Sequence, residues 1–154
     1  MFSYLILKDM KLKYIDHIGV IVNNLQAAKQ FFLDLGFTVM GEADEQKSDL
    51  LDQVVGIKGA HSQIVFLQTP DGQTKLELTK FLKPAEEVAP AESVMYAHGY
   101  KHIALVVEGI DEMVADLKAK GFDVFVDVYN YQNVYKLCYF RGPEGILVEL
   151  AEEL

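Results

Sequence analysis

Two histidines, His17 and His102, and two glutamates, Glu77 and Glu149, interrupt segments otherwise rich in Ile, Val and Leu. His17 heads DHIGVIVNN and His102 heads KHIALVVEG, while Glu77 sits inside LEL and Glu149 inside VEL. Imidazole and carboxylate without thiolate make a donor set for a divalent first-row ion: Ni²⁺, Zn²⁺, Co²⁺, Mn²⁺ or Fe²⁺. Two carboxylates neutralise the charge of such an ion, so the centre tolerates half burial. In octahedral geometry two positions stay open, which suits both oxygens of a hydroxy-ketone or enediolate. A lone strand histidine is ordinarily a hydrogen-bonded, half-buried side chain. Four polar residues related by a repeat call for a joint explanation.

The repeat is read by placing YIDHIGVIVNNLQAAKQFFLDLGFTVMGE over GYKHIALVVEGIDEMVADLKAKGFDVFVD. Without a gap, His17 meets His102, Val22 meets Val107, Gly36 meets Gly121 and Phe37 meets Phe122. Later, PDG faces PEG and LEL faces VEL. Each copy runs strand, helix and three strands. The helices carry Leu25, Ala28, Phe31, Phe32 and Leu35, or Ile110, Met113, Val114 and Leu117, at helical spacing. Gly36 and Gly121 stand where a left-handed cap ends a helix, and the glycines of PDG and PEG serve hairpin turns. The expected fold is α+β, two tandem βαβββ modules forming a curved mixed sheet with a concave metal-site face. The first module spans residues 13–81, the connector 82–98 and the second module 99–152.

Strand alternation divides the side chains between two faces. Ile18, Val20 and Val22, with Ile103, Leu105 and Val107, should pack on the helices, as should Leu76, Leu78, Ile146, Val148 and Leu150. His17, Glu77, His102 and Glu149 then point to the other face and are expected to converge there. The first copy has an extra stretch near EQKSDLLDQVVGIKG, with Leu50, Leu51, Val54 and Val55 at helical spacing. It is expected either to wall the site or to be a short surface helix. Tyr129, Tyr131, Tyr135 and Tyr139 read as ordinary strand aromatics, and Cys138 as core. His61 and His98 lack a repeat partner and stay outside the site.

At 154 residues with 51% hydrophobic and 24% charged content, the chain can bury one sizeable core. A net charge of −9 and a single arginine, Arg141, exclude a basic nucleic-acid footprint and disfavour an anionic membrane. One cysteine fits a reducing, cytoplasmic setting. The apolar run in MFSYLILKDM lacks the layout of a signal peptide, and Met10 is an equally acceptable start.

The double module, the His-Ile openings, the FFLDLGF helix end and the LELT and PEGILVEL strands resemble the vicinal oxygen chelate superfamily of glyoxalases, bleomycin-resistance proteins and extradiol dioxygenases. The resemblance covers about residues 13–152, and its His, Glu, His, Glu order is most similar to lactoylglutathione lyase. It implies a metal quartet of His17, Glu77, His102 and Glu149 around one divalent ion, nickel or zinc, with Glu77 and Glu149 also moving the proton. It further implies a small-molecule substrate, a lyase or isomerase reaction through an enediolate, and a homodimer. Bacterial glyoxalases hold glutathione with an arginine and an asparagine where this chain has Ile21 and Phe81, so a smaller or more apolar ligand is expected. Extradiol dioxygenases, fosfomycin-type transferases and bleomycin binders are the alternatives within the same superfamily.

Overall fold

The computed structural model describes residues 13–84 and 99–154. The expected connector beyond Pro84, His98 and the alternative start at Met10 lie outside those residues. Module 1 comprises β1 (His17–Ile21), α1 (Leu25–Asp34), β2 (Thr38–Gln46), α2 (Asp49–Val55), β3 (His61–Gln68) and β4 (Lys75–Lys83). Module 2 comprises β5 (His102–Val106), α3 (Ile110–Ala119), β6 (Asp123–Tyr131), β7 (Tyr135–Arg141) and β8 (Leu147–Glu153). Each closes its own four-stranded sheet, ordered β1-β4-β3-β2 and β5-β8-β7-β6. The β1/β4 and β5/β8 pairs are parallel and the rest antiparallel. The tandem βαβββ architecture is therefore as the sequence pattern predicts, with one sheet per module.

The helices start and stop for identifiable reasons. Asn24 caps α1 by accepting the Ala27 N–H at 3.0 Å, and Gly36 follows the helix with φ 102°. Gly109 heads α3 without a side-chain cap. There Glu152 of β8 accepts the Gly109 N–H at 2.5 Å and the Ile110 N–H at 3.4 Å. The acids of the two hairpin turns have diverged. Asp71 serves its own turn, accepting from Thr69 Oγ1 at 2.5 Å and from the Gln73 N–H at 3.1 Å. Glu144, at φ 56°, reaches into the other module and accepts the Asn23 and Asn24 N–H groups at 2.7–2.8 Å. A carboxylate at the N-terminus of α1 also meets the positive end of the helix dipole.

One core spans both modules. Ala28, Phe32, Leu67, Leu76 and Leu78 share it with Ile110, Cys138, Phe140, Val148 and Leu150. Phe31 is the joint: its ring lies 5.2 Å from Phe122 and 5.9 Å from Phe140 of module 2. Gly142 makes room for it, since a Cβ there would stand 2.7 Å from Phe31 Cζ. The helix-facing sides of both sheets thus turn inward to a common interior.

One sequence expectation needs adjustment, and one choice left open by the sequence is decided. Ile18 belongs to an edge strand and stays 37% exposed rather than entering the core. The extra stretch of module 1 does form a helix, α2, capped by Ser48, but none of its residues is buried. Leu50 and Val54 project into solvent, so it is a short surface helix. Asp52 fixes its exit by accepting the Gly59 and Ala60 N–H groups, both at 2.7 Å.

Candidate metal centre

Register places the four polar residues. In β4, Leu76 and Leu78 are fully buried in the core, so the intervening Glu77 points to the opposite, outer face of the sheet. Val148 and Leu150 do the same for Glu149 in β8. Parallel pairing sets Gly19 beside Glu77 and Ala104 beside Glu149, with His17 and His102 two residues back on the same face. The small residue opposite each carboxylate leaves it open to solvent and to its histidine.

Each module therefore builds one imidazole–carboxylate pair. His17 Nε2 lies 3.7 Å from Glu77 Oε2, and His102 Nε2 lies 3.2 Å from Glu149 Oε2. All four side chains are partly shielded, from 16% exposure for Glu149 to 41% for His17. The chain does not bring the two pairs together. Among the described residues no cluster of three or more His, Cys, Asp or Glu is arranged to hold a metal. The convergence expected from the sequence is thus not formed within one chain. The cause is the shared core: Phe140 alternates with Tyr139 along β7, and its packing on Phe31 turns the His102–Glu149 face outward.

The donor chemistry of each pair nonetheless fits a cation. Two adjacent ligands of an octahedral ion at about 2.1 Å are about 3.0 Å apart, and tetrahedral ones about 3.4 Å. Both observed separations lie close to that range. His17 is also oriented from behind: its Nδ1 meets Asp16 Oδ2 at 2.8 Å, and Lys75 holds Asp16 Oδ1 at 3.1 Å. An Nδ1–H given to a carboxylate leaves Nε2 with the lone pair for a metal. The hydrogen bond from His17 and then the Lys75 contacts keep the Asp16 carboxyl below its usual range.

The structure adds Tyr139, which the sequence pattern does not distinguish from ordinary strand aromatics. Its hydroxyl donates to Glu149 Oε2 at 2.6 Å, and its ring stands edge-on to His102 at 5.4 Å. The equivalent in module 1 is Phe66, opposite Glu77 and 6.2 Å from His17. There Thr79 Oγ1 donates to Glu77 Oε1 at 3.1 Å instead. The signal available in the sequence is register: Tyr139 shares the face of Glu149 because it pairs with it across β7/β8. Tyr129, Tyr131 and Tyr135 share that face further along the hairpin. Cys138, on the opposite face, is core as expected, and burial pushes its thiol up. His61 opens β3, outside both pairs.

Desolvation, and then the bond to Glu149, push the Tyr139 phenol from 10.0 up to about 12. A raised folded-state value means this group stabilises the fold fully below pH 10.0, and the contribution disappears as pH rises through about 12. In metal-free protein, the phenolate absorbance of wild type minus Tyr139→Phe should therefore titrate near the upper value. A difference curve centred at the ordinary tyrosine value would show that the bond is absent in solution.

The strand order and the paired donors define a duplicated α+β fold with an imidazole–carboxylate pair on each module. A family profile described as the Glyoxalase/Bleomycin resistance protein/Dioxygenase superfamily matches residues 14–150, and the chain belongs to that superfamily. The crystal structure of a glyoxalase family protein from Bacillus cereus superimposes with TM-score 0.89 at 36% identity, covering 95% of this chain and 97% of that one. The uncharacterized protein YaeR of Escherichia coli (strain K12) is 29% identical over 146 residues, 92% of this chain and 98% of YaeR. A point mutant of the fosfomycin resistance protein FosX from Listeria monocytogenes, complexed with Mn(II) and 1S,2S-dihydroxypropylphosphonic acid, shares the fold. It aligns with TM-score 0.59 at 16% identity, covering 91% of this chain and 90% of that one. No helix among the described residues is long and apolar enough to cross a membrane.

Proposed function

We propose that the protein is a metal-dependent lyase or isomerase of the glyoxalase kind. In this reading two copies join so that the His17–Glu77 pair of one chain and the His102–Glu149 pair of the other share one divalent ion, nickel or zinc being the leading candidates. The observation that carries the proposal is the spacing of each pair, close to that of two adjacent ligands on one metal. The edges of β1 and β5 support the pairing of copies, because among the described residues each of these strands bonds to a single neighbour. Both carry an exposed apolar residue at the repeat-related place, Ile21 at 63% and Val106 at 74%. Unpaired edges beside exposed apolar side chains favour a symmetric contact.

When bound, the ion would act as a Lewis acid that stabilises negative charge on two adjacent substrate oxygens. The chain supplies the rest. Glu77 and Glu149 stand beside the substrate carbon and move its proton, one carboxylate taking it and returning it to the neighbouring carbon. Asp16 orients His17, and Tyr139 fixes the rotamer of Glu149. Ile21 and Phe81 line the face without offering the polar groups that a tripeptide thiol needs.

The test is hydrogen exchange in deuterium oxide by protein reconstituted with Ni²⁺, Zn²⁺ or Mn²⁺. Hemithioacetals of methylglyoxal with glutathione and with bacillithiol, and simple hydroxy-ketones, serve as substrates. Metal-dependent deuterium incorporation beside the carbonyl is expected with at least one of them. Exchange no faster than buffer for all of them, with catechol consumed under oxygen and Fe²⁺, would reassign the chain to the dioxygenase branch.

A further inference from the structure

The two outer faces share a register frame, so the places where module 2 departs from module 1 bear on which face recognises an asymmetric substrate. Across module 1 one row of paired residues reads His17, Lys75, Gln68 and Thr38. The matching row of module 2 reads His102, Leu147, Arg141 and Asp123. The chain's single arginine thus stands in the histidine's row, separated from it by the buried Leu147. Two strand spacings put its Cα roughly 10 Å from that of His102.

Arg141 is held in place. Its guanidinium lies 4.2 Å over the Phe125 ring, and Nη1 donates to Asp123 Oδ2 at 2.5 Å. Phe125 is the extra residue of a bulge in β6, and bulges re-aim side chains. Its ring lies 6.2 Å from Tyr139, which in turn contacts His102. An unbroken surface of guanidinium, phenyl, phenol and imidazole therefore leads from Arg141 to the half-site. In module 1 the cation beside His17 is Lys75, engaged by Asp16, and Gln68 replaces the arginine.

A chain of net charge −9 with Glu149 and Asp123 on this face would repel an anion. A planar guanidinium with five N–H donors can hold a positioning carboxylate and a ligand oxyanion together, which an ammonium does poorly. We propose that Arg141 recognises an anionic group of the substrate. The ligand is then a vicinally oxygenated compound whose chelating end meets the metal pair while a carboxylate, phosphate or phosphonate a few bonds away meets Arg141. This rests on the metal-site reading above and deepens it by naming the substrate class.

Calorimetric titration of Mn²⁺-reconstituted protein tests it with three oxygen-chelating probes. Glycolohydroxamate has no second anion, phosphoglycolohydroxamate adds a phosphate, and succinohydroxamate adds a carboxylate. One anionic probe should bind on the order of 10- to 100-fold more tightly than the first, and the better one identifies the anion. Arg141→Met should erase the preference and Arg141→Lys should keep part of it, with affinity for glycolohydroxamate unchanged in both and the thermal midpoint lowered by no more than a few degrees through loss of the Phe125 and Asp123 contacts. Equal affinity for all three probes, or a preference that survives in Arg141→Met, overturns the role of Arg141 while the metal reading stands. Failure of the wild type to retain Mn²⁺ or bind any hydroxamate overturns the metal reading, and this inference with it.

Discussion

Replacing either Glu77 or Glu149 by Gln should weaken divalent-ion binding about 10³-fold or more, because in the proposed shared centre each change would remove one of four ligands and one of two neutralising charges. Glutamine keeps the shape of the side chain, so loss of packing is not the cause. It also preserves an oxygen that can accept from Tyr139 at position 149 and from Thr79 at position 77. The metal-free variants should therefore unfold like wild type while calorimetry with Ni²⁺ or Zn²⁺ registers the loss. Equal effects at the two positions are the informative part. The pairs lie on separate modules, so equal effects together with a stoichiometry of one ion per chain are what a shared centre gives, whereas separate half-sites would take two. A large effect at Glu149 with none at Glu77 would mean that the second half-site binds alone.

The second large effect concerns the joint between modules. Phe31→Ala should destabilise the chain by about 3–5 kcal/mol, measured by urea unfolding, because the ring is buried and the surrounding rings cannot collapse onto the cavity. Phe31 touches Phe32 on its own helix and Phe122 and Phe140 on the other module. Removing it therefore strips contacts from both. A change below about 1 kcal/mol would indicate that the modules do not pack through this residue.

The faces of the strands were legible in the sequence because alternation has a period of two, and a repeat gives each assignment an independent check. Leu76, Glu77 and Leu78 can face only in, out and in once the core is assigned. Helix ends were legible for a similar local reason, Gly36 and Gly121 supplying the positive φ that stops them. The arrangement of modules was not legible. Phe31 reads as one more apolar residue on an amphipathic helix, and nothing in its spacing says that its ring packs on Phe122 and Phe140 of the other module. Consequently the pattern alone sends four ligands to one surface, whereas a single chain makes two outward-facing pairs.

Other misses have the same origin in packing. Ile18 carries the pattern of a core residue but occupies an edge strand, where fewer neighbours cover it. Leu50 and Val54 follow helical spacing, yet the helix they form is only seven residues long and packs nothing beneath them. Tyr139 and Arg141 gain their significance from cross-strand neighbours, Glu149 in one case and Phe125 beyond a bulge in the other. A bulge leaves no mark in the hydrophobic pattern.

The central claim is that one ion is held by halves from two chains, and mixing variants tests it most directly. His17→Ala and His102→Ala chains are combined in equal amounts, unfolded and refolded together, and their tightly bound metal is counted. Random pairing places both defects in one site of each mixed dimer and leaves the other intact, so the mixture should recover about a quarter of the wild-type capacity while neither variant alone holds any. A mixture that binds no more than its separate components would show that each site is built within one chain and would contradict a centre shared between two.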